Sequence, residues 1–435
     1  MNTEKLGGLV SVVTGKLDVN AGDENGSYPF FTCAIKPYKI NKYAFDSEAI
    51  LIAGNGDLNV KYYKGKFNAY QRTYVLKKKQ SINLNMKYLY YFMKIYIEHL
   101  RKGAIGGIIK YIKLAHLTEA KIPLPSPDDQ TRIATLLFKV ESLMAKRKKS
   151  ITDLDELLKS TFLEMFGDPV RNERGWDKVE LGNLLKNIDS GWSPKCEPHE
   201  ARNGEWGVLK LGAVTYCSYD EKENKALIQG TSPKKNIEVR AGDNLFSRKN
   251  TYELVAACAY VFKTKPQLML SDLIFRLVLE KEAEIHPIFL WKLLTNYSQR
   301  KKIQSLAGGA AGSMPNISKT KLKTAKIVLP PLNIQNQFAA IVEKVESTKE
   351  KYQNSLNDLE TLYGALSQKA FKGELDLSRV PLVHELKPKD ITTGAPQPGK
   401  PSLTVQEDPK EELVSQEQTG KISDVPQNKK SLKLC

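Results

Sequence analysis

Cys196 and His199 stand at the spacing of half a tetrahedral zinc site, yet no second pair follows at ligand spacing, so the sequence predicts incidental placement. His99, His116, His286 and His384 each stand alone and indicate no triad. Gly54-Asn55-Gly56-Asp57 lacks the Lys-Ser/Thr of a phosphate-cradling loop and opens no recognisable βαβ unit, so a tight hairpin turn is expected. Two clusters suited to a polyanion remain. The first is Asn55, Lys61, Tyr62, Tyr63, Lys64, Lys66, Gln71 and Arg72, read as one loop. The second is Arg248, Lys249, Asn250 and Thr251, just beyond a predicted strand, with Lys319, Lys321 and Lys323 further on. Lysine and arginine position phosphates, whereas amide and guanidinium groups can read base edges, so such mixtures suit positioning plus readout. A solvated surface loop is the alternative for each cluster. Lys146-Arg147-Lys148-Lys149 is expected as an exposed face.

The chain as a whole carries a formal charge of +17 over 435 residues. A surface so biased concentrates polyanions around itself and releases counterions on meeting phosphates, which makes nucleic acid the leading partner class. A basic surface without function is the bland alternative. No apolar run approaches the ~20 residues that span a bilayer, and Met1 to Gly8 lacks a signal-peptide hydrophobic region. Cys33, Cys196, Cys217, Cys258 and Cys435 are scattered and odd in number, which fits reduced thiols. A cytoplasmic protein without membrane attachment is the expectation.

The elements that must position these clusters are organised by a duplication. At a shift of 205 residues, Gly107, Ile112, Leu117, Ala120-Lys121-Ile122, Leu124-Pro125 and Gln130 meet Gly312, Ile317, Leu322, Ala325-Lys326-Ile327, Leu329-Pro330 and Gln335. The register continues without a gap through Val140-Glu141-Ser142 onto Val345-Glu346-Ser347, Asp153-Leu154 onto Asp358-Leu359, Leu157 onto Leu362 and Phe166 onto Phe371. Each copy has a strand-like segment, a proline stop, then a long run with apolar residues three and four apart. Pro330-Pro331 is therefore a divider between strand and helix. The packing stripe of the first helix is expected to include Ile133, Val140, Ile151, Leu154 and Leu158. That of the second includes Phe338, Ile341, Val345, Tyr352, Leu359 and Leu366. Spacing near 3.5 residues over roughly five heptads favours a coiled coil over a compact bundle, since ~40 residues would make a rod near 60 Å. Gly167-Asp168-Pro169 and Lys372-Gly373 are the stops.

The fold class expected is α+β: mixed heads at 1–125 and 168–330, long helices at 126–167 and 331–374 pairing antiparallel with pseudo-two-fold symmetry, and a disordered tail at 375–435. The heads open alike, at Leu6-Gly7 and Leu181-Gly182, while their middles differ. The tail is rich in Pro, Gly, Lys, Glu, Gln and Ser, with Gly394 to Pro401 at its centre.

This organisation resembles the specificity subunit of type I restriction and modification enzymes over roughly residues 1–375. The motifs that carry the resemblance are Lys121-Ile122-Pro123-Leu124-Pro125 with Gln130, Phe162-Leu163-Glu164-Met165-Phe166-Gly167-Asp168-Pro169, Leu329-Pro330-Pro331-Leu332 with Gln335, and Ala370-Phe371-Lys372-Gly373-Glu374-Leu375. Ile50 to Gly56 with Gly65-Lys66-Phe67, and Ala241 to Arg248, resemble target-recognition domain segments. Departures are the absence of a long segment before the first domain and a tail with no match in the family pattern. The resemblance implies two target recognition domains, each reading half of a split duplex DNA site. It also implies two methyltransferase subunits and motor nuclease subunits as partners, with S-adenosylmethionine, ATP and Mg2+ bound by those partners and no cofactor bound by this chain. Consistently, the chain lacks the Gly-rich cofactor turn of an adenine methyltransferase and its Asn or Asp followed by Pro-Pro and an aromatic. Two rivals remain open at this point: a scaffold whose basic heads bind RNA or acidic proteins nonspecifically, and a nuclease, which would need carboxylate constellations for metal.

Overall fold

A computed structural model describes residues 2–308 and 314–382. The two long helices are its frame. Pro127–Phe166 starts on Ser126, whose side chain accepts from Asp129 N at 3.1 Å, with proline at the first turn where no amide is needed. Leu332–Lys372 starts after Pro331. Both end on glycines with positive φ, +74° at Gly167 and +78° at Gly373, a conformation costly for any residue with a Cβ.

The helices run antiparallel. Lys148 meets Glu360 at 3.0 Å, Arg147 lies 4.3 Å over the Tyr352 ring, and Lys349 meets Asp155 at 2.6 Å. At one end Ile133, Ala134 and Leu137 share a core with Ala370; at the other Leu158, Phe162 and Phe166 share one with Phe338, Val342 and Val345. Of the expected packing residues, Ile133, Val140, Leu158, Phe338 and Val345 are buried, and Ile151, Leu154, Tyr352, Leu359 and Leu366 are half-buried. Ile341 is a correction: it is exposed, and Val342 fills the seam instead. Helical spacing allows either neighbour to continue a stripe from Phe338, and Val342, four residues on, lies more squarely above it. The middle of the pair is polar, so most of its apolar burial sits at the ends, where the helices enter the cores of the heads.

The first head is a six-stranded sheet in the order Val10–Thr14, Thr73–Lys78, Phe45–Ala53, Val60–Ala69, Tyr28–Phe31, Tyr38–Ile40. Alternation along Phe45–Ala53 sends Ile50 and Ile52 toward helix Met86–Lys102 and the long helices, and Ala49 and Leu51 toward Phe31 and Phe67. The second head repeats the first four strands in the same order: Leu185–Ser190, Ile274–Leu279, Asn244–Ser247, Cys258–Tyr260. Helices Pro287–Thr295 and Tyr297–Gln304 then follow where Met86–Lys102 follows in the first head. The second head adds a three-stranded sheet, Asn224–Ala226, Gly207–Leu209 and Leu268–Met269, with its own core.

Each head is closed by a short strand pair, Thr3–Lys5 with Lys121–Pro123 and Lys178–Glu180 with Lys326–Val328. The openings Leu6-Gly7 and Leu181-Gly182 follow these strands. Leu6 N donates to Ala120 O and Leu181 N to Ala325 O, at 2.8 and 2.9 Å. Leu375 and Leu377, assigned to the tail from sequence, pack against the first head's core, and Leu382 is buried. These leucines supply apolar surface that the composition of the tail obscures. The remainder of the expected disordered tail, including His384 and Gly394 to Pro401, lies outside the described residues, as does Gly312 of the repeat.

Candidate nucleic-acid interface

In the first head the loops around residues 33, 55, 72 and 110 converge. Gly54 N donates to Arg72 O at 2.8 Å, Gly56 N to Lys110 O at 2.9 Å and Ile112 N to Gly54 O at 2.9 Å. The approach at Gly54 requires glycine, because a Cβ there would lie 2.5 Å from Arg72 O. Cys33 Sγ donates to Asn55 Oδ1 at 2.9 Å, and Asn59 Nδ2 donates to Cys33 O at 2.7 Å. Lys61 Nζ donates to Thr32 O at 3.3 Å and also bonds to Asn59. Burial pushes the Lys61 ammonium down to a pKa of about 8.

The structure therefore brings Asn55, Lys61 and Arg72 together, with Gln71 next to Arg72 in the chain and its backbone N–H donating to Leu17 O at 2.9 Å. It does not gather the rest. Residues 60–69 form a strand, not a loop, and its two-residue period separates neighbours onto opposite faces. Tyr62 bonds to Glu48 and leans on Tyr90, and burial drives its hydroxyl pKa well up. Tyr63 packs between Phe31 and Phe67. Lys64 stands opposite Glu48 in the sheet, and Lys66 lies 4.8 Å over the Tyr43 ring.

The second head builds the same frame from different residues. Arg248 N donates to Leu273 O at 3.0 Å and Ile317 N to Arg248 O at 2.8 Å, repeating the bonds of Gly54. Lys249 bridges Asn316 as Asn55 bridges Tyr111. The Arg248 guanidinium donates through Nε to Asn316 Oδ1 at 3.1 Å and lies 5.2 Å over the Phe275 ring. Asn250 turns inward: it is buried and its amide donates to Thr215 Oγ1 at 3.3 Å. Thr251 is exposed, but its carbonyl is held by the amides of Leu254 and Val255. Lys319 lies 5.7 Å over Phe275, and Lys321 reaches toward Gly308, which bridges Asn316. Lys323 packs instead against Gly182, on the strand closure.

Sequence reasoning missed Cys33, Asp272 and Asn316, which reach the site across long sequence separations, and Asn59, which lies within the first cluster's own span. The repeated Ile112 and Ile317, both buried beneath the site, were the available signal. Cys196 and His199 are not brought to a common ligand: Cys196 bonds to Pro194 O and His199 to Glu205. Among the described residues, no three His, Cys, Asp or Glu side chains gather as metal ligands. No helix among them is long and apolar enough to cross a membrane.

Comparison with known proteins agrees with this doubled construction. The EcoDI type I restriction enzyme specificity subunit of Escherichia coli is 28% identical over 409 residues, 86% of this chain and 88% of its own length. The MjaVIII specificity subunit of Methanocaldococcus jannaschii is 22% identical over 386 residues, 79% of this chain and 85% of that one. A crystal structure of the S subunit of a type I restriction-modification system from M. genitalium shares the fold, with a TM-score of 0.60 over 85% of this chain and 96% of that chain, at 18% identity. The family model described as the type I restriction modification DNA specificity domain matches twice, at residues 1–153 and 173–361, so that each match takes in one head and the greater part of the long helix after it. With two copies covering most of its length, the chain belongs to the type I restriction modification DNA specificity family.

Proposed function

We propose that the converging loops of each head read one half of an asymmetric, bipartite duplex DNA site, and that the paired helices set the distance between the halves. The observation that carries this reading is one loop frame presenting different residues: Gly54, Asn55 and Arg72 in one head, Arg248, Lys249 and Leu273 in the other. A shared frame holds each reader in register, while differing side chains give the halves different sequences. The chain itself is the non-catalytic specificity subunit. Adenine methylation belongs to methyltransferase subunits that bind S-adenosylmethionine, and cleavage to translocase-endonuclease subunits that use ATP and Mg2+, all in the cytoplasm.

Two methyltransferase copies fit the pseudo-symmetry. Leu157 and Leu362, equivalent in the repeat, are 48% and 46% exposed on the two long helices, offering the same apolar contact twice. The test is exchange of residues 1–125 for the first head of a relative, followed by mapping of methylated adenines in the complex with its partners. One half of the methylated sequence should change and the other stay. Changes in both halves would contradict separate readers.

A further inference from the structure

The hairpin that closes the first head's site carries a feature that the hydrogen-bonding residues do not use. Ile105 and Tyr111 exchange backbone bonds of 2.9 and 2.8 Å, and the chain between them turns at Gly106. Gly106 has φ +114°, and a Cβ there would lie 2.6 Å from Ile109 O, so the turn is closed to other residues. At its apex Ile108 is 103% exposed and Ile109 62% exposed. Adjacent aliphatic side chains held out in water forgo the stabilisation that burial would bring, and they stand on a constrained turn rather than a loose end.

The apex is also fixed in place. Gly56 N holds Lys110 O, and Asn55 bridges Tyr111, so the isoleucines stand beside Asn55 and Arg72. Exposed Lys110 follows Ile109 directly, and exposed Lys113 comes three residues later. An apolar protein surface or a lipid interior would have to desolvate those ammonium groups. Duplex DNA would instead pair them with phosphates, and its major groove, about 12 Å wide, admits a two-stranded ribbon. The apolar feature on the base edges of that groove is the thymine 5-methyl group. We propose that Ile108 and Ile109 enter the major groove and read thymine methyls in the half-site of the first head. This rests on the reading of the converging loops as DNA-facing, and it adds an apolar reader to their polar ones.

The experiment uses the full chain assembled with its methyltransferase partners, on duplexes in which deoxyuridine replaces thymidine one position at a time, removing only the methyl. At one or two positions of the first head's half-site, methylation by the original chain should fall about three- to fivefold, the scale of one buried methyl. The variant I108A/I109A should show no such fall at those positions, and its preferences in the other half-site should be unchanged. Both side chains are exposed, so thermal unfolding of the variant should match the original. Deoxyuridine without effect throughout that half, an equal loss in the variant, or a half-site with no specified A·T pair would each overturn the proposal. Uniform weakening in the variant, with 2-aminopurine fluorescence showing unstacking by the original chain, would mean a wedge between bases and would overturn it too. Asn55→Ala separates the two levels. If it alters the half-site while I108A/I109A does not, only this proposal fails; if neither N55A nor exchange of the head alters it, the DNA-facing reading fails.

Discussion

Lys61 joins burial, charge and binding in one side chain. Its pKa of about 8 comes from burial, which outweighs the opposing effect of Cys33, and its ammonium is tied to Thr32 and Asn59 at the site. A phosphate nearby would favour the charged form, so binding would take up a proton once the free chain begins to lose it. Affinity of the assembled complex for its DNA should therefore weaken from pH 7 to pH 9, and Lys61→Arg, whose guanidinium stays charged, should flatten that fall. The same fall in both proteins would place Lys61 away from the DNA. Unfolding cannot mimic the effect. Between about pH 8 and the unfolded value of 10.5 the folded chain binds fewer protons than the unfolded one, so the lysine's own contribution to stability rises with pH while binding weakens. The sequence exposes Lys61 as basic and close to Asn55, but not as buried. Burial depends on Thr32 and Cys33, which lie 29 and 22 residues from their partners Lys61 and Asn55. The adjacent pair Lys249 and Asn250 is equally deceptive: one backbone step turns the second inward.

The repeated elements explain why certain residues recur. Gln130 and Gln335 are both buried, and each ties a head helix to the start of a long helix. Gln130 accepts from Asn85 N at 2.9 Å and donates to Pro125 O at 3.0 Å. Gln335 accepts from His286 N at 2.9 Å and donates to Glu284 O and Pro330 O at 3.0 and 2.7 Å. Asn85 and His286 are themselves the N-caps of their helices, so one amide side chain fixes the register of two elements. Removing it strands backbone groups that are partly buried, and in Pro330 O a fully buried one, at about 1 kcal/mol for a partly buried group and up to about 3 for a buried one. Gln335→Ala should lower the free energy of unfolding in urea by roughly 3 kcal/mol or more, and Gln130→Ala by less, having one bond fewer. A loss below about 1 kcal/mol for Gln335→Ala would show that water replaces the amide. The long helices, their stops and the duplication were legible because helical periodicity and repeated Gly, Pro and Gln leave identities in the chain. The common strand order of the heads was not. Sheet positions ask only for alternation and burial, so Phe45–Ala53 and Asn244–Ser247 occupy one topological place without sharing a pattern of residues.

At the scale of the whole molecule, the antiparallel pairing makes the proposed role of the helices testable through the DNA spacer. The repeat shift sets Lys149 equivalent to Asn354, and the cross-helix contacts Lys148–Glu360 and Asp155–Lys349 fall on either side of these positions, so the pseudo-dyad passes near the middle of both helices. Lengthening only the first helix there would slide one set of contacts past the other, since the ends are anchored in the two heads' cores through Ile133 and Phe162. A single insertion should therefore destabilise the chain, whereas a matched pair, four residues after Ser150 and four after Ser355, preserves both anchored ends. Four residues add about 6 Å of rise, which corresponds to about two base pairs at 3.4 Å each. They also advance the helix about 40° past a full turn, while two base pairs advance the duplex by about 70°, so each head stays near its groove. The inserted turn disturbs the seam only where it is polar and thin, around Arg147 and Tyr352, and local unwinding can absorb it. Methylation of a library with randomised spacers should then show a preferred spacer longer by one to two base pairs, with both half-site sequences retained. If a folded, active complex carrying the matched insertion kept its original spacer, the helices would not be the ruler, and the distance between half-sites would have to be set by the partner subunits instead.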